Sequence, residues 1–211
     1  MKKLVLAAAL AGVSTLAVAN TGYYVQGNVG YSKLEFKDSE FKLKDSGASY
    51  GVAVGKKVGD MRYALDYTNF GKIKVSENEE RVENFIDTGV NNVTEHYKGE
   101  VTTHSLGLSA IYDFAPVSGF TPYAGARLGV NQVKSKDSTV IHYQSESGTR
   151  TFSDFDSAKE TKVGVGALAG VQYAINPNLA VDAGVEYNYL GKFDGVKGNQ
   201  YGAKVGLRYS F

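Results

Sequence analysis

Cysteine and tryptophan are both absent from the 211 residues, and proline occurs only three times. Without cysteine there is no disulfide framework and no thiolate nucleophile or ligand. A formal net charge of +1 gives no basic surface for a nucleic-acid partner. The only long apolar run is Leu4 to Leu16, after Met1-Lys2-Lys3 and before Ala17-Val18-Ala19. A positive start, a short greasy core and a small-x-small site predict a cleavable signal peptide over 1–19, with the mature chain over 20–211. No later stretch is apolar for the 18 or so residues of a spanning helix, so a chain held in a membrane after export must cross it as strands.

What is abundant fits that exclusion. There are 25 glycines and 15 tyrosines, suiting a crowded interior and two ring-lined bilayer interfaces. The last residues carry the pattern most openly: Tyr201, Ala203, Val205, Leu207, Tyr209 and Phe211 alternate with Gly202, Lys204, Gly206, Arg208 and Ser210. One face is apolar and the other polar, the period of a half-buried strand. The same alternation recurs around Tyr23–Ser32, Tyr50–Val54, Met61–Thr68, Thr102–Phe114, Pro122–Asn131, Val163–Tyr173 and Val181–Tyr189. Short turns fall at Gly59-Asp60, at 115–120 and at Asn176-Pro177-Asn178. Between the other strands lie longer polar stretches, 37–46, 76–100, 134–159 and 191–198, predicted as loops. The expectation is an all-β, eight-stranded antiparallel transmembrane barrel with short periplasmic turns, long extracellular loops and both termini in the periplasm.

An eight-stranded barrel is just filled by its own side chains. The inward set includes Arg62, Asp66, Arg127, Asp182, Glu186, Lys204 and Arg208, whose opposite signs should pair. Folding the last hairpin about Gly195 predicts Asp182 opposite Arg208 and Glu186 opposite Lys204. Such a network either packs the lumen shut or lines a narrow conducting path. No metal or cofactor site is expected. His104 falls on the lipid face by parity, while His96 and His142 fall in loops with no partner fixed by spacing, so no enzyme is predicted.

The loops are the better candidate site. Val82, Phe85, Ile86, Val90, Val93 and Tyr97 recur at spacings of three and four, as on a short helical segment, and the second long loop adds Tyr143, Phe152 and Phe155. Apolar residues on solvated loops either form a partner surface or pack the two loops together.

Tyr23-Tyr24-Val25-Gln26-Gly27-Asn28-Val29-Gly30-Tyr31-Ser32, Tyr123-Ala124-Gly125-Ala126-Arg127-Leu128-Gly129 and the terminal Gly202–Phe211 run together resemble the opacity-type porins of Gram-negative outer membranes. The resemblance covers the strands and not the loops. It implies a surface adhesin whose second and third external loops bind host-cell receptors or extracellular ligands; the alternative is a small-solute porin or a structural envelope barrel. It also implies outer-membrane lipid as surroundings and Phe211 as the signal read by the barrel-assembly machinery.

Overall fold

A computed structural model describes residues 22–38, 42–81, 90–145, 148–193 and 195–211. The predicted signal peptide lies outside them, as do residues at the tips of four of the hairpins. The described residues form eight antiparallel strands in one closed ring: β1 (Tyr23–Lys37), β2 (Lys42–Val58), β3 (Met61–Arg81), β4 (Val90–Asp113), β5 (Phe120–Ser145), β6 (Gly148–Ala174), β7 (Leu179–Phe193) and β8 (Val196–Ser210). Closure comes from β1 pairing with β8, where Tyr24 lies opposite Ser210 and Val29 opposite Val205.

The barrel is inside-out relative to a water-soluble domain. Val29, Leu108 and Val163 point outward at 61%, 61% and 64% exposure, while Arg62 is 1% exposed and Asp182 2%. That arrangement is stable only if hydrocarbon covers the outside. Outward rings mark two levels, Tyr209 near the turn end and Tyr201 near the hairpin end of β8. Eight residues of tilted strand separate them, roughly 20 Å along the barrel axis, close to the height of an outer-membrane apolar band.

The turns are as short as their dipeptides suggest. Val58 pairs with Met61 across Gly59-Asp60. Val117 and Phe120 exchange backbone hydrogen bonds of 2.8 and 3.0 Å across Ser118 and Gly119, both at positive φ, as a two-residue primed turn requires. Asn176 Oδ1 accepts from the backbone N–H groups of Asn178 and Leu179.

The other ends depart from expectation. Stretches 37–46, 76–100, 134–159 and 191–198 are mostly strand where described: β1 reaches Lys37 and β2 starts at Lys42, β3 reaches Arg81 and β4 starts at Val90, β5 reaches Ser145 and β6 starts at Gly148, and β7 reaches Phe193 and β8 starts at Val196. Lys134 and Lys159, the two ends of the predicted second loop, face each other across β5 and β6. Once a hairpin has begun, each further backbone pair satisfies two chains at once, so the ladder continues after the lipid-imposed pattern stops. β3 to β6 therefore project well beyond the shorter β1, β2, β7 and β8 as a four-stranded sheet. β6 meets β7 only from Val165 on.

The last hairpin is also out of the predicted register. Asp182 lies opposite Gly206, Ala180 opposite Arg208 and Glu186 opposite Gly202, with a shift between Tyr189 and Gly191. Phe193 pairs with Val196, which already moves the register by one residue from a fold about Gly195, and one extra residue in β7 moves everything below it by one more.

Candidate functional site: lumen, cap and projecting sheet

At the turn end of the lumen, Arg62 Nε donates to Asp113 Oδ1 at 2.8 Å and Lys57 Nζ to Asp113 Oδ2 at 2.9 Å. Tyr123 Oη donates to Asp182 Oδ1 at 2.7 Å, and the guanidinium of Arg62 stands 4.8 Å from the Tyr123 ring centre. Farther in, Arg127 clamps Asp66 through Nε and Nη2, the latter at 2.5 Å. Lys204 Nζ reaches Glu186 Oε2 at 2.6 Å despite the register shift, because the two lie diagonally across the pair. Asp182 and Arg208 form no such pair. Asp182 is taken by Tyr123, and Arg208 lies 5.3 Å from the ring centre of Tyr24, its Nε and Nη1 buried without a hydrogen-bond partner.

All seven predicted lumen charges do face inward. Asp113 and Lys57, which complete the turn-end cluster, were not among them; the alternation of β4 already placed Asp113 on the polar face. A void of about 50 Å³ lies among Tyr24, Arg62, Asp66, Tyr123 and Asp182, and one of about 10 Å³ beside Glu186 and Lys204, room for a few waters only.

Toward the hairpin end the interior changes character. Leu34, Phe36, Phe70, Ile73, Leu190 and Phe193 pack as a buried apolar cluster, all at 7% exposure or less. β1 supplies Leu34 and Phe36, and two short stretches supply the other four, Phe70-Gly71-Lys72-Ile73 and Leu190-Gly191-Lys192-Phe193. In each, a bulge at a glycine with positive φ, 95° at Gly71 and 117° at Gly191, lets two apolar residues three apart both face inward and turns the lysine outward. The repeated apolar-Gly-Lys-apolar pattern is the sequence signal for this cap.

The predicted loop residues are strand residues where they are described. Val90, Val93 and Tyr97 sit on β4, so the proposed helical stripe is replaced by a ladder; Val82, Phe85 and Ile86 lie outside the described residues. Tyr97 Oη donates to Asp137 Oδ1 at 2.8 Å. Tyr143 and Phe152 meet edge to face at 5.7 Å. Phe155, 74% exposed, lies opposite Ser138 on the other face of the sheet. His96 and His142 are likewise strand residues, their rings 5.9 Å apart on that second face, and His104 stacks on the outward Tyr67.

Charge differs between the two faces of β5 and β6. Asp137 and Asp156 oppose one another on the face shared with Tyr143, with Asp154, Glu160, Arg150 and Lys162 also on it, whereas the only charges on the other are lysines, Lys134, Lys136 and Lys159. The short hairpins repeat the basic theme: Lys42, Lys37, Lys197 and Lys192 stand opposite one another in a single row across β2, β1, β8 and β7. Two acids on the outward side are held by lysines, Glu35 by Lys42 and Lys44 and Glu100 by Lys72. Burial tends to raise the Glu35 pKa, but hydrogen bonding to Lys44 and the charge of Lys42 outweigh it and hold the carboxyl below its ordinary range. Hydrogen bonding to Lys72, at 2.9 Å, does the same for Glu100.

Residues 54–211 match the family model described as Opacity family porin protein. The chain belongs to the opacity family. Among the relatives of this opacity barrel, Protein opa of Haemophilus influenzae is 35% identical over 158 residues, 75% of this chain and 100% of its own length. Opacity protein opA58 of Neisseria gonorrhoeae is 33% identical over 76% of this chain and 70% of its own. Among solved structures, Neisserial surface protein A is similar at a TM-score of 0.57 and 29% identity, over 92% of this chain and all of that one. Family and fold are those of Gram-negative outer-membrane barrels and not of enzymes.

Proposed function

We propose that this opacity barrel is a surface adhesin: it carries the projecting β3–β6 sheet outside the cell and binds host-cell or extracellular ligands through it. The observation that carries this reading is the sheet itself. It holds exposed Phe152 and Phe155 on opposite faces, gathers Lys134, Lys136 and Lys159 on one face of β5 and β6, and leaves the β7-side edge of β6 unpaired before Val165. Aromatic residues on a rigid scaffold, beside an unpaired strand edge, suit protein recognition. The orientation in this reading puts the hairpin ends outside and the turns and termini in the periplasm, with Phe211 as the assembly signal beside Tyr23. A porin reading is disfavoured by the filled lumen and the apolar cap above it, and no catalytic role is assigned.

The test follows the register. Replacing 75–99 and 137–156 by short turns cuts the sheet at Lys74 opposite Glu100 and Lys136 opposite Ser157. The shortened protein is expected to keep the heat-dependent gel mobility of a folded barrel and to lose binding to host cells. Undiminished binding overturns adhesion through the sheet, and protease cleavage of the native sheet on intact cells checks the orientation separately.

A further inference from the structure

The outward face changes abruptly where the apolar band ends on the hairpin side. On every strand but β4, the first charged residue beyond the band on that face is a lysine. Lys72, Lys134 and Lys159 stand on the projecting sheet, and Lys33, Lys44, Lys192 and Lys197 on the short hairpins, all outside the lumen, with Lys44 bridged to Glu35. On β4 the residue is Glu100, and Lys72 bridges it. The turn end has no counterpart: its outward residues are Tyr23, Phe114, Phe120, Ile175 and Tyr209, with only Lys56 and Asp60 charged.

Several of these lysines face one another directly, Lys134 with Lys159 and Lys192 with Lys197. Like charges directly opposite on a sheet destabilise it. Among the described residues, neither member of either pair has an acidic partner. A ring of cations placed on the lipid-facing side, just past the last outward rings, sits at the level of the headgroups. Anionic phosphates there neutralise the facing pairs, as basic segments beside a membrane are held by acidic lipid.

We infer that this lysine collar binds the phosphorylated headgroups of the lipid leaflet around the hairpin end, and so anchors the barrel at a fixed depth and tilt. That this leaflet is the outer one rests on the orientation proposed above; the binding itself does not. A soluble polyanion fits the observations less well, because the lysines follow the circumference of the band instead of converging on one groove of the projecting sheet.

The full-length barrel, refolded in phosphatidylcholine nanodiscs with a minor fraction of bisphosphorylated lipid A, tests this with both leaflets alike. The readout is the ratio of lipid A to phosphatidylcholine retained by the protein. Lipid A is expected to be enriched, and the enrichment to fall roughly fivefold for each lysine removed in Lys134→Gln/Lys159→Gln. Lys134→Arg/Lys159→Arg keeps it, and fully dephosphorylated lipid A or added inorganic phosphate does not substitute. Heat-dependent gel mobility confirms that each variant is folded, and the single Lys134→Gln and Lys159→Gln proteins serve if the double does not fold. Equal enrichment by native and Gln proteins, or equal retention of the dephosphorylated lipid, overturns the proposal. So does lysine-dependent binding of a soluble sulfated oligosaccharide without any enrichment of lipid A. Adhesion and orientation are read on cells, so failure here leaves those readings untouched.

Discussion

The interior of this barrel is built twice, by opposite means. Within the membrane band it is a network of ions and hydrogen bonds around Arg62, Asp113, Asp182 and Arg127; under the hairpins it is the apolar cluster of Leu34, Phe36, Phe70, Ile73, Leu190 and Phe193. The difference follows from what lies outside each tier. In the band the outward face must be apolar, so polar residues are left to the lumen. Above it the walls meet water, and the strands bury their apolar residues inward as any soluble sheet does. One tier depends on every charge keeping its partner, the other on volume.

The largest effect should come from orphaning a lumen charge. Asp113→Ala leaves Arg62 buried without its carboxylate and should cost about 3–5 kcal/mol, whereas Arg62→Met/Asp113→Leu together should cost much less. Denaturant unfolding in lipid vesicles compares the two; equal losses would show that the pair's volume matters and its charge does not. Leu190→Ala in the cap should cost about 3 kcal/mol by the same measurement, with no second substitution nearby to relieve it. A partner change that restored it would erase the distinction between the tiers.

The smallest effect is at the rim. Glu35 and Glu100 have folded pKa values below the ordinary carboxylate range. The stabilisation they give is therefore present above the unfolded value and lost as pH falls through the folded one. Amide exchange in β1 near Glu35 and in β4 near Glu100 should quicken on acidification through that window while the band strands hold. Exchange indifferent to pH would remove any role for these ion pairs in holding the rim.

The band strands were legible because lipid imposes a period of two: Tyr201, Ala203, Val205, Leu207 and Tyr209 could only alternate as they do. Beyond the cap both faces of the projecting sheet are wet, nothing enforces alternation, and Lys134 to Lys159 reads as a loop although most of it is paired strand. The pairing of the last hairpin was missed for two local reasons, a turn that pairs Phe193 with Val196 and the extra residue at Leu190-Gly191, which together moved Arg208 from Asp182 to the Tyr24 ring. Glu186 and Lys204 tolerated that move because a lysine reaches across a diagonal. Phe155 was legible as an exposed aromatic but not as belonging to the face opposite Phe152, since a face is defined only once the ladder is known.

The β5–β6 ladder runs from Phe120 opposite Tyr173 to Ser145 opposite Gly148 without a slip. Length can consequently be added or removed at its tip in matched pairs, and every side chain below keeps its side. An unmatched residue in either strand would need a bulge, or would exchange acid for lysine on everything beyond it. The tip is thus free to vary in content while being held to a strict arithmetic in number, which lets a rigid mast carry changing sequence.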